Sequence, residues 1–349
     1  MKIPKEMKAA RFYKVKEPLK IDTVPVPEIK EDEVLVEIKS VGLCGSDIHM
    51  VYEGDMVPVH HPIIIGHEPS GIIASKGKAV DNWEVGTRVS VYPVIYCGSC
   101  KNCIAGHSEI CFNLQVLGVH RDGGLAEYLA IPAKNLLKLP DNIPYHIGSI
   151  VTDAVATPFH ALIERAQLQI GESVAIYGVG GLGLHAVQIA RMAGAKQIIA
   201  IDIQDKQLEK AKEVGADIVI NPLYESPVEV IKKHTGHGVD VAAEFIGKKE
   251  TVSKAANSLI TGGRLVVSGV GYESVELMSI VRYVRKQLTF YGSFGHTKNT
   301  VQQLINLVSN KRLFLEESIT HEFQLEEVNT ALEYLYKKID APTRILINI

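Results

Sequence analysis

Tryptophan occurs once in this chain of 349 residues, aromatic side chains supply only 6% of it, and neither sign of charge dominates. A formal net charge of −3 and a pI near 6.5 argue against a nucleic-acid-binding surface. No window approaches the roughly 18–20 consecutive apolar residues of a membrane span, so no membrane partner is expected. The opening "MKIPKEMKAARFY" lacks the apolar stretch of a signal peptide, which points to a cytoplasmic protein. Tracts rich in Pro, Ser or Gln are missing, and so is any internal repeat, so nothing marks a disordered tail or a repeat architecture. Cysteine is scarce: Cys44, Cys97, Cys100, Cys103 and Cys111. An odd number, with four in one short stretch, does not look like a secreted disulfide framework and favours metal ligation in a reducing compartment.

What is present suits two domains. The first 150 residues alternate in short runs such as "EVLVEIKSVG", "GIIASKGKAV" and "GTRVSVYPV", broken by Gly, Pro and Asp, which reads as a mostly β domain. From about Ser149 strands such as "ESVAIYG", "KQIIAIDI" and "VDVAAEFIG" alternate with helical spacing in "GLGLHAVQIARMAGA" and "DKQLEKAKEVGA". That alternation specifies an α/β, doubly wound parallel sheet. The expected division is 1–150, 151–292 for the nucleotide-binding domain, and 293–349 as a return to the first domain.

"YGVGGLG" places Gly178, Gly180 and Gly183 in the G-x-G-x-x-G pattern between a strand and a helix, with Gly181 and Leu182 in the same turn. The glycines permit a tight turn, close approach of a pyrophosphate, and close helix–strand packing. Asp202 ends the next strand nineteen residues after Gly183, where a carboxylate bonds ribose hydroxyls and repels a 2′-phosphate. No arginine follows it, so NAD is expected over NADP.

Cys97, Cys100, Cys103 and Cys111 can complete a tetrahedral zinc shell with no open position, a structural site in a lobe spanning about 95–113. An iron–sulfur cluster is the weaker alternative. Cys44 is left over, and "IIIGHEPSG" supplies His67 and Glu68 twenty-three residues further on.

With these pieces assembled, the chain resembles the zinc-containing medium-chain alcohol dehydrogenases over essentially its whole length. The resemblance is carried by "GLCGSDIH", "GHEPSG", the four-cysteine lobe, "RDGGLAEY", "GVGGLG" with Asp202, and the terminal "TRILINI". "GLCGSDIHMVYEG" and "TDAVATPFHAL" are most similar to the branch of secondary alcohol dehydrogenases and yeast-type carbonyl reductases. The resemblance implies a β-rich, GroES-like catalytic domain beside a Rossmann domain, with two zincs per chain. It joins Asp153 to Cys44 and His67 as ligands of a catalytic zinc, a link that spacing alone does not make. Many relatives carry Cys at that position and polyol dehydrogenases a Glu-Pro pair, which weakens a sorbitol-like assignment.

Glu68 matches a residue near the metal and ranks below those three. Ser46 matches the hydroxyl that takes the substrate proton, His49 the base that passes it to solvent through the cofactor ribose, and Asp47 a carboxylate that orients His67. Read without the family, Ser46 and Asp47 cap a short helix starting at Ile48. Thr157 is implied beside the nicotinamide and Arg344 near the pyrophosphate. Tyr52, Tyr92 and Leu117 are candidate pocket residues.

The function implied is NAD(H)-linked interconversion of a small alcohol, secondary by resemblance, with a ketone or aldehyde, in a homodimer or homotetramer. Two alternatives stand: a zinc dehydrogenase of a polar polyol or amino-alcohol such as sorbitol, butanediol or threonine, and a non-catalytic protein whose zinc lobe is an interaction module.

Overall fold

The structure is a computed structural model and describes residues 3–349. The chain forms two compact units, one running to Asp153 and resuming at Thr297, the other Ala154–His296. Helical turns run without a break through Tyr145–Ile150, Val151–Val155, Ala156–Phe159 and His160–Arg165, so no local signal marks the first division.

The first unit is built on the strand Glu33–Leu43, which pairs antiparallel with Glu68–Lys76 on one side and Arg344–Asn348 on the other. Tyr128–Pro132 pairs with its first half, and Ile319–Gln324 lies parallel to Arg344–Asn348. Alternation in "EVLVEI" sends Val34, Val36 and Ile38 into one core, where they meet Ile73, Leu129, Ile345 and Ile347. Each such fully buried aliphatic side chain contributes about 1.5–3 kcal/mol. Register then positions the chemistry. Gly42 lies opposite Glu68 on one neighbour and Leu346 on the other. Cys44, just past the end of its strand, and His67, just before the start of the next, therefore share one end of the sheet.

The second unit is a six-stranded parallel sheet in the order Ile218–Ile220, Gln197–Ile201, Ser173–Tyr177, Val239–Glu244, Leu259–Val267, Thr289–Gly292. The strand order reverses beside Ser173–Tyr177, the switch point at which doubly wound sheets bind ligands. The helix Gly183–Met192 buries Leu184, Ala186, Val187, Ile189 and Ala190, and the chain turns away at Gly194 with φ +81°. No helix among the described residues is long and apolar enough to cross a membrane.

Candidate functional site

Cys44 stands at the N-cap position of a helical turn, Gly45–Ile48, and its backbone N–H donates to Asp47 Oδ2 at 2.9 Å. The turn therefore begins three residues before the start expected at Ile48, and Asp47 caps it by reaching back to Cys44. Asp47 is fully buried; its other oxygen, Oδ1, has no hydrogen-bond partner and lies 3.9 Å from His67 Nδ1. Burial pushes the Asp47 carboxyl up, against the pull of His67.

Donor atoms of Cys44, His67, Glu68 and Asp153 all lie within 4.8 Å of one another. Asp153 Oδ2 is 3.5 Å from Cys44 Sγ and 3.6 Å from His67 Nε2. A tetrahedral zinc with bonds of about 2.0–2.3 Å needs edges of about 3.3–3.5 Å between such donors, so the set fits. Burial opposes a charged His67 ring, yet Asp153, Cys44 and Asp47 outweigh it and hold His67 well above the usual histidine range. Such crowding of anionic donors calls for a cation.

Glu68 is fully buried, and burial pushes it up to about 7 in spite of Arg344. Its Oε2 accepts from Arg344 Nη2 at 2.5 Å, while Oε1 has no partner. Arg344 is itself 2% exposed. Its Nη2 serves Glu68, while Nε has no hydrogen-bond partner. Gly42 makes room for this pair, since a Cβ there would meet Glu68 Oε2 at 2.2 Å. The sequence reading missed both the pairing and the glycine; the only signal was Gly42 inside "VGLCGSD".

Ser46 Oγ lies 3.7 Å from Cys44 Sγ, and His49 meets two carboxylates, Glu53 and Asp55, at Nδ1. Tyr52 stacks on Tyr336 with centroids 4.5 Å apart, whereas Tyr92 and Leu117 are fully buried.

The four lobe sulfurs form a compact group, with Sγ–Sγ separations of 3.5 Å for Cys97–Cys111 and Cys100–Cys103 and 3.9 Å for Cys97–Cys103 and Cys100–Cys111. Zinc–sulfur bonds of about 2.3 Å at tetrahedral angles require about 3.8 Å. Backbone N–H groups of Cys97, Cys100 and Asn113 point at sulfurs from 3.3 Å. The N–H groups of Ser99 and Cys100 pull Cys97 down to about 5. Burial and the neighbouring sulfurs push Cys103 up. Four sulfurs at these distances could hold a shared cation, in the manner of a zinc shell with no vacancy.

In the second unit, Gly178 takes φ +86°, and a Cβ at Gly183 would meet the Gly178 carbonyl oxygen at 1.8 Å. A Cβ at Gly180 would enter open space, the side from which a ligand could approach the backbone. Gly181 and Leu182 lead into the helix, with Leu182 at its N-cap. Asp202 Oδ2 accepts from Val179 N–H in this turn and Oδ1 from Gln204 N–H, each at 3.0 Å. Thr157 is buried, its Oγ1 3.4 Å from His296 Nδ1.

Residues 30–141 match the alcohol dehydrogenase GroES-like domain and residues 181–310 the zinc-binding dehydrogenase family. The chain is 34% identical to sorbitol dehydrogenase of Bacillus subtilis over 95% of its length and 94% of that protein. It is 35% identical to an alcohol dehydrogenase of Geobacillus stearothermophilus over 95% and 96%. A zinc-binding dehydrogenase from Sinorhizobium meliloti, solved with NADP bound, superposes with a TM-score of 0.91 at 31% identity and 99% coverage of both chains. Two family models and full-length relatives show that the chain belongs to the zinc-dependent medium-chain alcohol dehydrogenase family of oxidoreductases.

Proposed function

We propose that the protein oxidises a secondary alcohol to a ketone, and runs the reverse reduction, with NAD(H) as hydride carrier. The observation that carries this reading is the set Cys44, His67 and Asp153 at zinc-ligand spacing, the first two buried and Asp153 half-buried. When bound, the zinc supplies a Lewis acid that polarises the substrate oxygen. Cys44, His67 and Asp153 hold it, Asp47 orients His67, and Glu68 stands by with Arg344 as its counter-charge. Ser46 takes the substrate proton and His49 passes it on. Gly178, Gly180, Gly181, Leu182 and Gly183 receive the pyrophosphate, Asp202 the adenosine ribose, and Thr157 flanks the nicotinamide. A second zinc, in Cys97, Cys100, Cys103 and Cys111, holds the lobe. A cytoplasmic homodimer or homotetramer completes the reading.

The likeness to sorbitol dehydrogenase favours a second reading, in which the carbinol belongs to a polyol or another polar substrate. NAD⁺ reduction across primary, secondary, polyol and amino-alcohol substrates separates the two. We expect simple secondary alcohols to exceed primary ones at least about tenfold in kcat/KM, roughly 1.4 kcal/mol of discrimination. A polyol that outperforms every simple secondary alcohol would replace the first reading by the second.

Asp202 decides the cofactor. Asp202→Ala should cost NAD⁺ about tenfold or more in kcat/KM, because a hydrogen bond to a charged group is worth roughly 1.5–3 kcal/mol. The change also removes the acceptor for Val179 N–H, which loosens the turn for both cofactors alike. The informative quantity is therefore the NADP⁺/NAD⁺ ratio of kcat/KM, which should rise; an unmoved ratio would take Asp202 off the ribose.

A further inference from the structure

Away from the zinc donors, a second group of polar side chains converges on His49. Its Nδ1 lies 2.6 Å from Glu53 Oε2 and 3.1 and 3.2 Å from Asp55 Oδ1 and Oδ2. The backbone brings them together through a wide turn over His49–Glu53, closed by Gly54 N–H donating to the His49 carbonyl at 2.7 Å. Gly54 then reverses the chain in a left-handed conformation with φ +76°, and Asp55 follows. The three side chains are 30%, 43% and 31% exposed, so this is the solvent-facing end of the segment that starts at Cys44. A carboxylate only accepts, so Nδ1 must carry the hydrogen, and the neutral ring keeps its lone pair on Nε2.

We propose that Asp55, with Glu53, is a positioning residue for the proton transfer of alcohol oxidation, fixing the His49 tautomer and giving the proton its exit to water. The inference rests on the relay reading of Ser46 and His49. In the step, Nε2 would accept the proton that leaves the substrate hydroxyl by way of Ser46 and the cofactor ribose, and one N–H bond forms there. The N–H bond at Nδ1 breaks, its proton passes to the Asp55 or Glu53 carboxylate, and water removes it. The hydride leaves separately with the nicotinamide, and the ring returns to its first tautomer by exchange with water. Without the carboxylates the ring is free to carry its hydrogen on Nε2, where it cannot accept.

The test uses the zinc-loaded enzyme, NAD⁺ and a secondary alcohol at neutral pH, and reads the single-turnover rate of NADH formation. The variants are Glu53→Gln/Asp55→Asn, His49→Gln and the triple combination. The double variant should slow the single turnover about tenfold, below the full worth of a general base because the site is half exposed. NAD⁺ affinity, zinc content and Tm should stay at the parent values. The triple variant should be no slower than His49→Gln, since residues acting as one unit are not additive. A double variant at the parent rate beside a slow His49→Gln overturns the proposal, as do additive losses or a loss carried by NAD⁺ affinity alone. His49→Gln at the parent rate would instead remove the relay reading itself. Should the double variant lose zinc or melt early, the isosteric Asp55→Asn carries the same comparison.

Discussion

Asp153→Asn is expected to strip zinc from one of the two sites and to lower turnover at least about tenfold, on the order of 1.4 kcal/mol in the barrier. Asparagine keeps the shape and volume of the side chain but removes its charge. The set of Cys44, His67 and residue 153 would then leave the metal with one net positive charge more, and an amide oxygen is a poorer zinc ligand than a carboxylate. Asp153 Oδ2 lies 3.5 Å from Cys44 Sγ and 3.6 Å from His67 Nε2, so little movement is needed to complete the shell. The competing idea is that Asp153 only supports the helical turns Val151–Val155 and Ala156–Phe159, a role that asparagine fills almost as well. Zinc per chain and kcat, measured on one purified sample, tell them apart. Two zincs with undiminished kcat would remove Asp153 from the metal site, while one retained zinc should be the four-cysteine one.

Cys100→Ala should strike stability before chemistry. The lobe has few apolar residues to hold it, and some of these face outward, with Ile104 76% and Phe112 71% exposed. Its order depends on the four sulfurs and the backbone N–H groups aimed at them, and a site reduced to three thiolates loses tetrahedral closure. A loss of about 3 kcal/mol, ordinary for a structural metal site, corresponds to roughly 6–12 °C in Tm for a unit of this size. The protein that still folds should show KM values near those of the parent, because Cys44, His67 and Asp153 are untouched. Loss of the lobe zinc with an unchanged Tm would contradict the structural assignment.

The two zinc sites differ in how they are written into the chain. The lobe is legible because its four ligands fall within one short segment, Cys97 to Cys111, and local spacing already limits what such thiols can do. The glycine turn is legible for the same reason. Only glycine accepts φ +86° at residue 178 and the Gly178 carbonyl 1.8 Å from a Cβ at residue 183, so backbone sterics select those residues directly. Period-two and helical spacing likewise marked the strands and helices, since burial of one face is a local demand on composition.

The other cluster joins residues that no local rule connects. Cys44 and Asp153 are 109 residues apart and Glu68 and Arg344 276 apart, and the second pair meets because Arg344–Asn348 and Glu68–Lys76 flank Glu33–Leu43 in a particular register. Such register is settled by many side chains packing at once. It was tertiary structure that turned Arg344 toward Glu68 and gave Gly42 its steric purpose. Even over six residues, the meeting of His49 with Asp55 needed the wide turn and the left-handed Gly54. Residue types and short spacings determined which chemistry this chain can hold, whereas sheet register and turn geometry, set by packing, decided which side chains share a site.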